Sequence, residues 1–245
     1  MPFHLTKKMK WIILFLATHI NQQTHMIDTL KNKIKEQDTE AILVLLKEHP
    51  EILEMTDENN SSGFMLLAYS GISEAFEEAV KAKEKFTFHE AIIAGQYSIV
   101  EKQLAAEPDL VGEYSEDGFA PLSLAAFFDE MDIAKLLLEY DADPNLSAKN
   151  PSKVNALHSA VARQNKELCE LLIEKGVDVN AVQMQGVTAL HSAAHRNNLP
   201  IVELLIEKGA ELSPKMDNGD TPLAIAKREG SEEVSTYLKE KGAAE

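Results

Sequence analysis

The chain has 245 residues, 44% of them hydrophobic, with 24 basic and 40 acidic side chains and a formal net charge of −16. That length and apolar content suffice for a buried core and exclude a mainly disordered chain. The acidic balance and an aromatic content of 6% argue against binding nucleic acid or an anionic membrane by bulk electrostatics or base stacking, and one cysteine, Cys169, excludes an internal disulfide or a four-cysteine zinc site.

Residues 1–25 carry Lys7, Lys8 and Lys10 and no acid, which leaves 21 basic and 40 acidic groups in the remainder. The run Trp11-Ile-Ile-Leu-Phe-Leu-Ala17 after these lysines resembles the front of a secretory signal. It is too short to span a bilayer, and Thr18 to Gln22 offer no small-residue cleavage site. Two readings stay open: a real signal, or a chain that starts at Met26. A free Cys169 fits a reducing compartment, and the expected location is the cytoplasm, with export as the alternative.

The first amphipathic helix is predicted from Met26 to Ile34, and a second over Gln37 to Lys47 with its exit at Glu48-His-Pro-Glu51. Gly63-Phe-Met-Leu-Leu67 opens another unit, but Leu67 lies only 21 residues before Phe88, so that unit is truncated. Downstream the chain repeats itself. Ala120-Pro-Leu-Ser-Leu-Ala-Ala126, Val154-Asn-Ala-Leu-His-Ser-Ala160, Thr188-Ala-Leu-His-Ser-Ala-Ala194 and Thr221-Pro-Leu-Ala-Ile-Ala226 line up, with a fainter copy at Phe88-His-Glu-Ala-Ile92. The shared apolar residue falls at Phe88, Leu122, Leu157, Leu190 and Leu223, at spacings of 34, 35, 33 and 33. A second apolar run follows at Ile133–Leu138, Leu168–Ile173 and Ile201–Ile206, and then a stop at Gly176, Gly209 or Gly242, with Tyr140-Asp-Ala-Asp-Pro-Asn145 as a variant.

Each unit therefore reads as two helices. The first opens at a Thr, with Pro222 in a first turn where no amide donor is missed. It ends at a left-handed residue such as Gly95, Asn197 or Gly230. The second is a longer apolar stripe with Glu and Lys on its other face.

This pattern resembles the ankyrin repeat, whose T-P-L-H-x-A turn recurs every 33 residues. The resemblance implies an all-α fold, a solenoid of stacked antiparallel helix pairs joined by short β-turns. It divides the chain into a leader at 1–25, a divergent N-terminal cap and truncated repeat at 26–85, and five repeats at 86–245, the last a C-terminal cap.

Chemistry is hard to find. His191 and His195 are spaced as metal ligands on one helix face, but His191, like His158, occupies the position of the family's inter-repeat hydrogen-bonding histidine, and no third ligand follows. Cys169 aligns with Val100, Ala134 and Val202, which are inward positions. No nucleophile elbow, phosphate loop or dinucleotide fingerprint occurs. Catalytic residues, metal and cofactors are each expected to be none. Asn59 and Asn145 match glycosylation acceptors only at chance level.

The resemblance implies a protein partner, met by turn tips and by the exposed ends of the first helices. Those places hold Phe127, Phe128, Arg163, Met184, Gln185, His195 and Arg196. Aromatic and Arg side chains are the usual anchors of interfaces. The expectation is a monomeric, non-catalytic module that binds another protein, with no nucleic acid and no membrane span; an enzyme with an unrecognised site is the remote alternative.

Overall fold

The computed structural model describes residues 24–244. They form two compact units that divide between Phe86 and Thr87, and the leader up to residue 23 lies outside the described residues.

In the first unit, residues 24–36 are helical (α1), and Gln37 takes a left-handed φ of 56° that reverses the chain. Asp38 then caps α2 (Thr39–Glu48) by accepting the Ala41 amide. Pro50 starts a 3₁₀ turn, Pro50–Glu54, because it has no amide to extend α2. A tight turn at Asp57–Ser61 leads to α3 (Gly63–Ala68), capped by Ser62, and then to α4 (Ser73–Ala82). Ile27, Leu30, Ile42, Leu46, Ile52, Leu53, Phe64 and Leu67 are the core. The truncation near Leu67 has a structural form. The chain passes from α4 through Lys83–Phe86 straight to the next cap at Thr87, without the hairpin tip found elsewhere.

The second unit contains five helix pairs. The inner helices are α5 (Phe88–Ile93), α7 (Pro121–Phe127), α9 (Ala156–Ala162), α11 (Ala189–His195) and α13 (Pro222–Arg228). The outer ones are α6 (Tyr97–Ala106), α8 (Met131–Glu139), α10 (Lys166–Glu174), α12 (Leu199–Glu207) and α14 (Glu232–Glu240). Each inner helix packs on its outer partner, and successive inner helices from α5 to α13 pack on one another. Small residues allow this: Ala91, Ala125, Ala126, Ala160, Ala193, Ala194 and Ala226 are all fully buried. Leucine and β-branched residues of the outer helices close the other side, with Leu137, Leu172, Val202, Leu205 and Val234 inaccessible.

Every inner helix ends at a left-handed residue: Gly95, Asp129, Gln164, Asn197 and Gly230. The outer helices α8, α10, α12 and α14 do the same at Asp141, Gly176, Gly209 and Gly242. The exception is α6, which runs into a second proline-led 3₁₀ turn, Pro108–Gly112. Between pairs the chain folds into hairpin tips, closed by backbone bonds such as Ser115 N–H to Phe119 O (2.9 Å), Gln183 to Val187 (2.9 Å) and Met216 to Asp220 (2.9 Å). Successive tips are tied together by Lys149 to Gly118, Met184 to Ser152 and Asp217 to Gln185. The only bridges of strand type among the described residues are Thr56–Ser62 and Val182–Thr188. The all-α solenoid is the fold of this unit.

Candidate interaction surface

The inner helices leave one edge open. They are so short that most of their side chains are buried, and from α7 onward exposure gathers at the last helical residue and the capping residue after it, joined in α13 by Lys227. The last helical residues are Phe127, Ala162, His195 and Arg228; the capping residues are Phe128, Arg163, Arg196 and Glu229. Because the helices stack in order, each set is a row that crosses four repeats.

Phe127 is 40% exposed and Phe128 half-buried, and their rings meet edge to face with centroids 5.3 Å apart. Arg163, His195 and Arg196 are exposed. His195 Nδ1 lies 3.4 Å from Glu229 Oε1, and Arg228 reaches Asp220 at 2.7 Å and Glu229 at 3.6 Å. The last repeat thus pairs Arg228 internally, whereas among the described residues no carboxylate pairs with Arg163 or Arg196.

Met184 and Gln185 lie apart from these rows, on the hairpin tip that precedes α11. Met184 is 50% exposed, and Gln185 holds a left-handed φ of 65°. Val182 beside them is 55% exposed. Sequence reading passed over it, and its bridge to Thr188 explains why it faces outward: adjacent positions of an extended segment point to opposite sides. Tyr114 and Lys149 form a second tip feature missed in the sequence, with the ammonium 3.9 Å above the ring centre.

The remaining polar groups serve the stack. His158 Nε2 lies 3.1 Å from Ala181 O, and its Nδ1 accepts the Asn155 amide. His191 is held in the same way, by Asp220 O at 3.2 Å and the Thr188 amide at 3.1 Å. A ring that donates from Nε2 and accepts at Nδ1 is neutral. Burial pushes His158 down to about 4, and it lowers His191 also. His89 joins the series by reaching Glu113 O at 2.9 Å. His191 and His195 therefore share a helix without sharing a ligand, one ring buried in the junction and the other on the open edge. Burial likewise pushes the Cys169 thiol up to about 12, the opposite of an activated nucleophile.

Asn145 and Asn180 clasp the next repeat. Asn145 donates to Gly176 O (3.1 Å) and accepts from the Asp178 amide (2.8 Å); Asn180 does the same with Gly209 and Glu211. Both ends of the Asn145 amide are thus occupied, which leaves that acceptor motif a structural part. Among the described residues no group of three or more His, Cys, Asp or Glu is placed to hold a metal, and no helix is long and apolar enough to cross a membrane.

Comparison with known proteins agrees with the stack. Fowlpox virus (strain NVSL) ankyrin repeat protein FPV024 is 40% identical over 78 residues, which is 31% of this chain and 13% of the relative. A second from the same virus, FPV014, is 30% identical over 97 residues, covering 39% of this chain and 21% of its own length. The human DNA-binding protein RFXANK is 31% identical over 76 residues, 31% of this chain and 29% of its own. The chain thus spans less than a third of the length of each of these relatives. The family pattern described as ankyrin repeats (three copies) matches residues 88–183 and again 157–244. These residues are the helix pairs α5 to α14, and on that match the chain belongs to the ankyrin repeat family.

Proposed function

We propose that this protein is a non-catalytic interaction module that binds a partner protein through the open edge of its inner helices, with the hairpin tips at Met184 and Gln185 as a second contact. Members of the family generally serve as protein–protein interaction modules. The observation that carries the reading is the confinement of Phe127, Phe128, Arg163, His195 and Arg196 to the exposed ends of helices whose other residues are mostly buried. Aromatic and guanidinium groups on a rigid scaffold are efficient anchors because little conformational freedom is lost on binding. One relative carries the name DNA-binding protein; the net charge of −16 favours a protein partner here, since phosphate contacts need a positive field. We further propose that the chain acts as a monomer in the cytoplasm; sequencing the N-terminus of the protein from its native host tests the location, and a terminus at residues 18–25 overturns it.

The binding test is affinity capture from native cells with the full chain as bait. Changing Phe127, Phe128, Arg163 and Arg196 together to Ala should abolish capture and leave the melting transition nearly unchanged. A stable complex would cover roughly 800 Å² on this side. Unaltered capture sinks the proposal. The milder pair Arg163→Gln with Arg196→Gln serves if the quadruple variant melts early.

A further inference from the structure

The chain has three arginines in all, Arg163, Arg196 and Arg228, against 21 lysines. All three stand at the same end of successive inner helices, α9, α11 and α13, at the last helical residue or the cap after it. Lysines are scattered over both units, and one of them, Lys227, stands in the last turn of α13, whereas the guanidinium groups are confined to this edge. It collects guanidinium, the group whose planar fork of donors fits a carboxylate with two parallel bonds. Arg228 is satisfied within the chain by Asp220 and Glu229. Arg163 and Arg196 are exposed and have no carboxylate partner among the described residues, in a protein that holds 40 acidic side chains. The capping row therefore reads, in repeat order, aromatic at Phe128, cation at Arg163, cation at Arg196 and anion at Glu229.

Resting on the interaction role proposed above, we infer that this edge binds an extended acidic peptide segment of its partner. Adjacent helices pack about 8–10 Å apart. An extended chain advances about 3.3 Å per residue, so one repeat step corresponds to about three residues of ligand. The segment that fits places an apolar side chain against Phe127 and Phe128. A carboxylate follows about three residues on, opposite Arg163, and a second about three residues further, opposite Arg196. The spacing suits isolated carboxylates better than a polyanion, because acidic side chains of this chain flank the edge, Asp129 and Glu229 among them, and repel a continuous line of negative charge.

The test pans a displayed library of random short peptides on the full chain, and re-measures the selected sequences as synthetic peptides by fluorescence anisotropy. Selected peptides should carry two acids at third-residue spacing beside an apolar residue. Replacing those acids with amides should weaken binding about tenfold or more. Arg163→Gln or Arg196→Gln should do the same with an unchanged melting curve, and Arg→Lys should restore only part of it, since an ammonium lacks the fork. Peptides selected without acidic bias, no selection at all, or binding indifferent to both arginines overturns the inference. So does a preference for phosphoserine peptides or single-stranded DNA over the acidic peptides. If native capture depends on the edge while acidic peptides fail, the interaction role stands and this inference falls alone.

Discussion

His158 shows how one side chain ties a buried junction to pH. Its ring is 4% exposed, and desolvation holds it neutral down to about 4, whereas an unfolded histidine titrates near 6.5. Between those values the unfolded chain binds the extra proton, so stability falls as pH drops from 6.5 towards 4 and is complete above 6.5. The gap corresponds to roughly 3 kcal/mol at the acid end, and His191 adds to it with the same sign. Denaturant midpoints of wild type should fall over this window more steeply than those of His158→Gln, which is weaker at neutral pH but lacks the titration; parallel curves would show that the ring is not held neutral. Ser123 makes the opposite case. It stands where His158 and His191 stand in later repeats, it is 2% exposed, and its hydroxyl has no hydrogen-bond partner among the described residues. Ser123→Ala removes a buried unsatisfied group, so the unfolding free energy should hold or rise by up to about 1 kcal/mol. A loss above that size would reveal a partner for the hydroxyl.

Among the elements, the outer helix α12 bears the most testable packing. Leu205 is fully buried and Leu204 nearly so, and truncating either to Ala should cost about 2–5 kcal/mol, with Leu205 the larger. Two glycines separate two reasons for the same residue. Gly209 has φ +94° and open space around it, so Gly209→Ala should cost about 1 kcal/mol from backbone strain alone. Gly63 has an ordinary φ, but a Cβ there would sit 2.1 Å from Ile52 O. Gly63→Ala must push α3 away from the Pro50–Glu54 turn and should cost more than Gly209→Ala; equal denaturant midpoints would contradict that packing. These cases also show what the sequence could reveal. The leucine period and the glycine stops are local chemistry, and they located α5 to α14. The left-handed Asp129 and Gln164 carry no such mark, because their neighbours impose the conformation. At Asp129, for example, Asn165 of the next repeat bonds the carboxylate. The clasps of Asn145 and Asn180 were equally hidden, since a polar residue near a helix end reads as solvent-facing until the next repeat is in place. On the open edge, the exposure of Phe127 and Arg196 was expected from the resemblance to the ankyrin repeat. The pairing of His195 with Glu229, 34 residues on, required the stack.

The whole molecule sets an electrostatic condition on the edge. The chain carries −16, so an acidic segment approaches against a repulsive field while its destination is two guanidinium groups. The two effects differ in range. At about 0.01 M salt the Debye length is about 30 Å and an incoming peptide meets the field of the whole protein. At about 0.15 M it is about 8 Å, and the carboxylates of the outer helices are largely screened from a ligand on the inner edge, whereas Arg163 and Arg196 remain in contact with it. Added salt should therefore speed association over this range, the reverse of ordinary steering between opposite charges. It should also speed dissociation, because the exposed guanidinium–carboxylate pairs weaken with screening. Stopped-flow anisotropy with a selected acidic peptide, followed from low to physiological salt, measures both rates. Association that slows steadily with added salt would mean that the local positive edge, and not the net charge of the chain, governs the encounter.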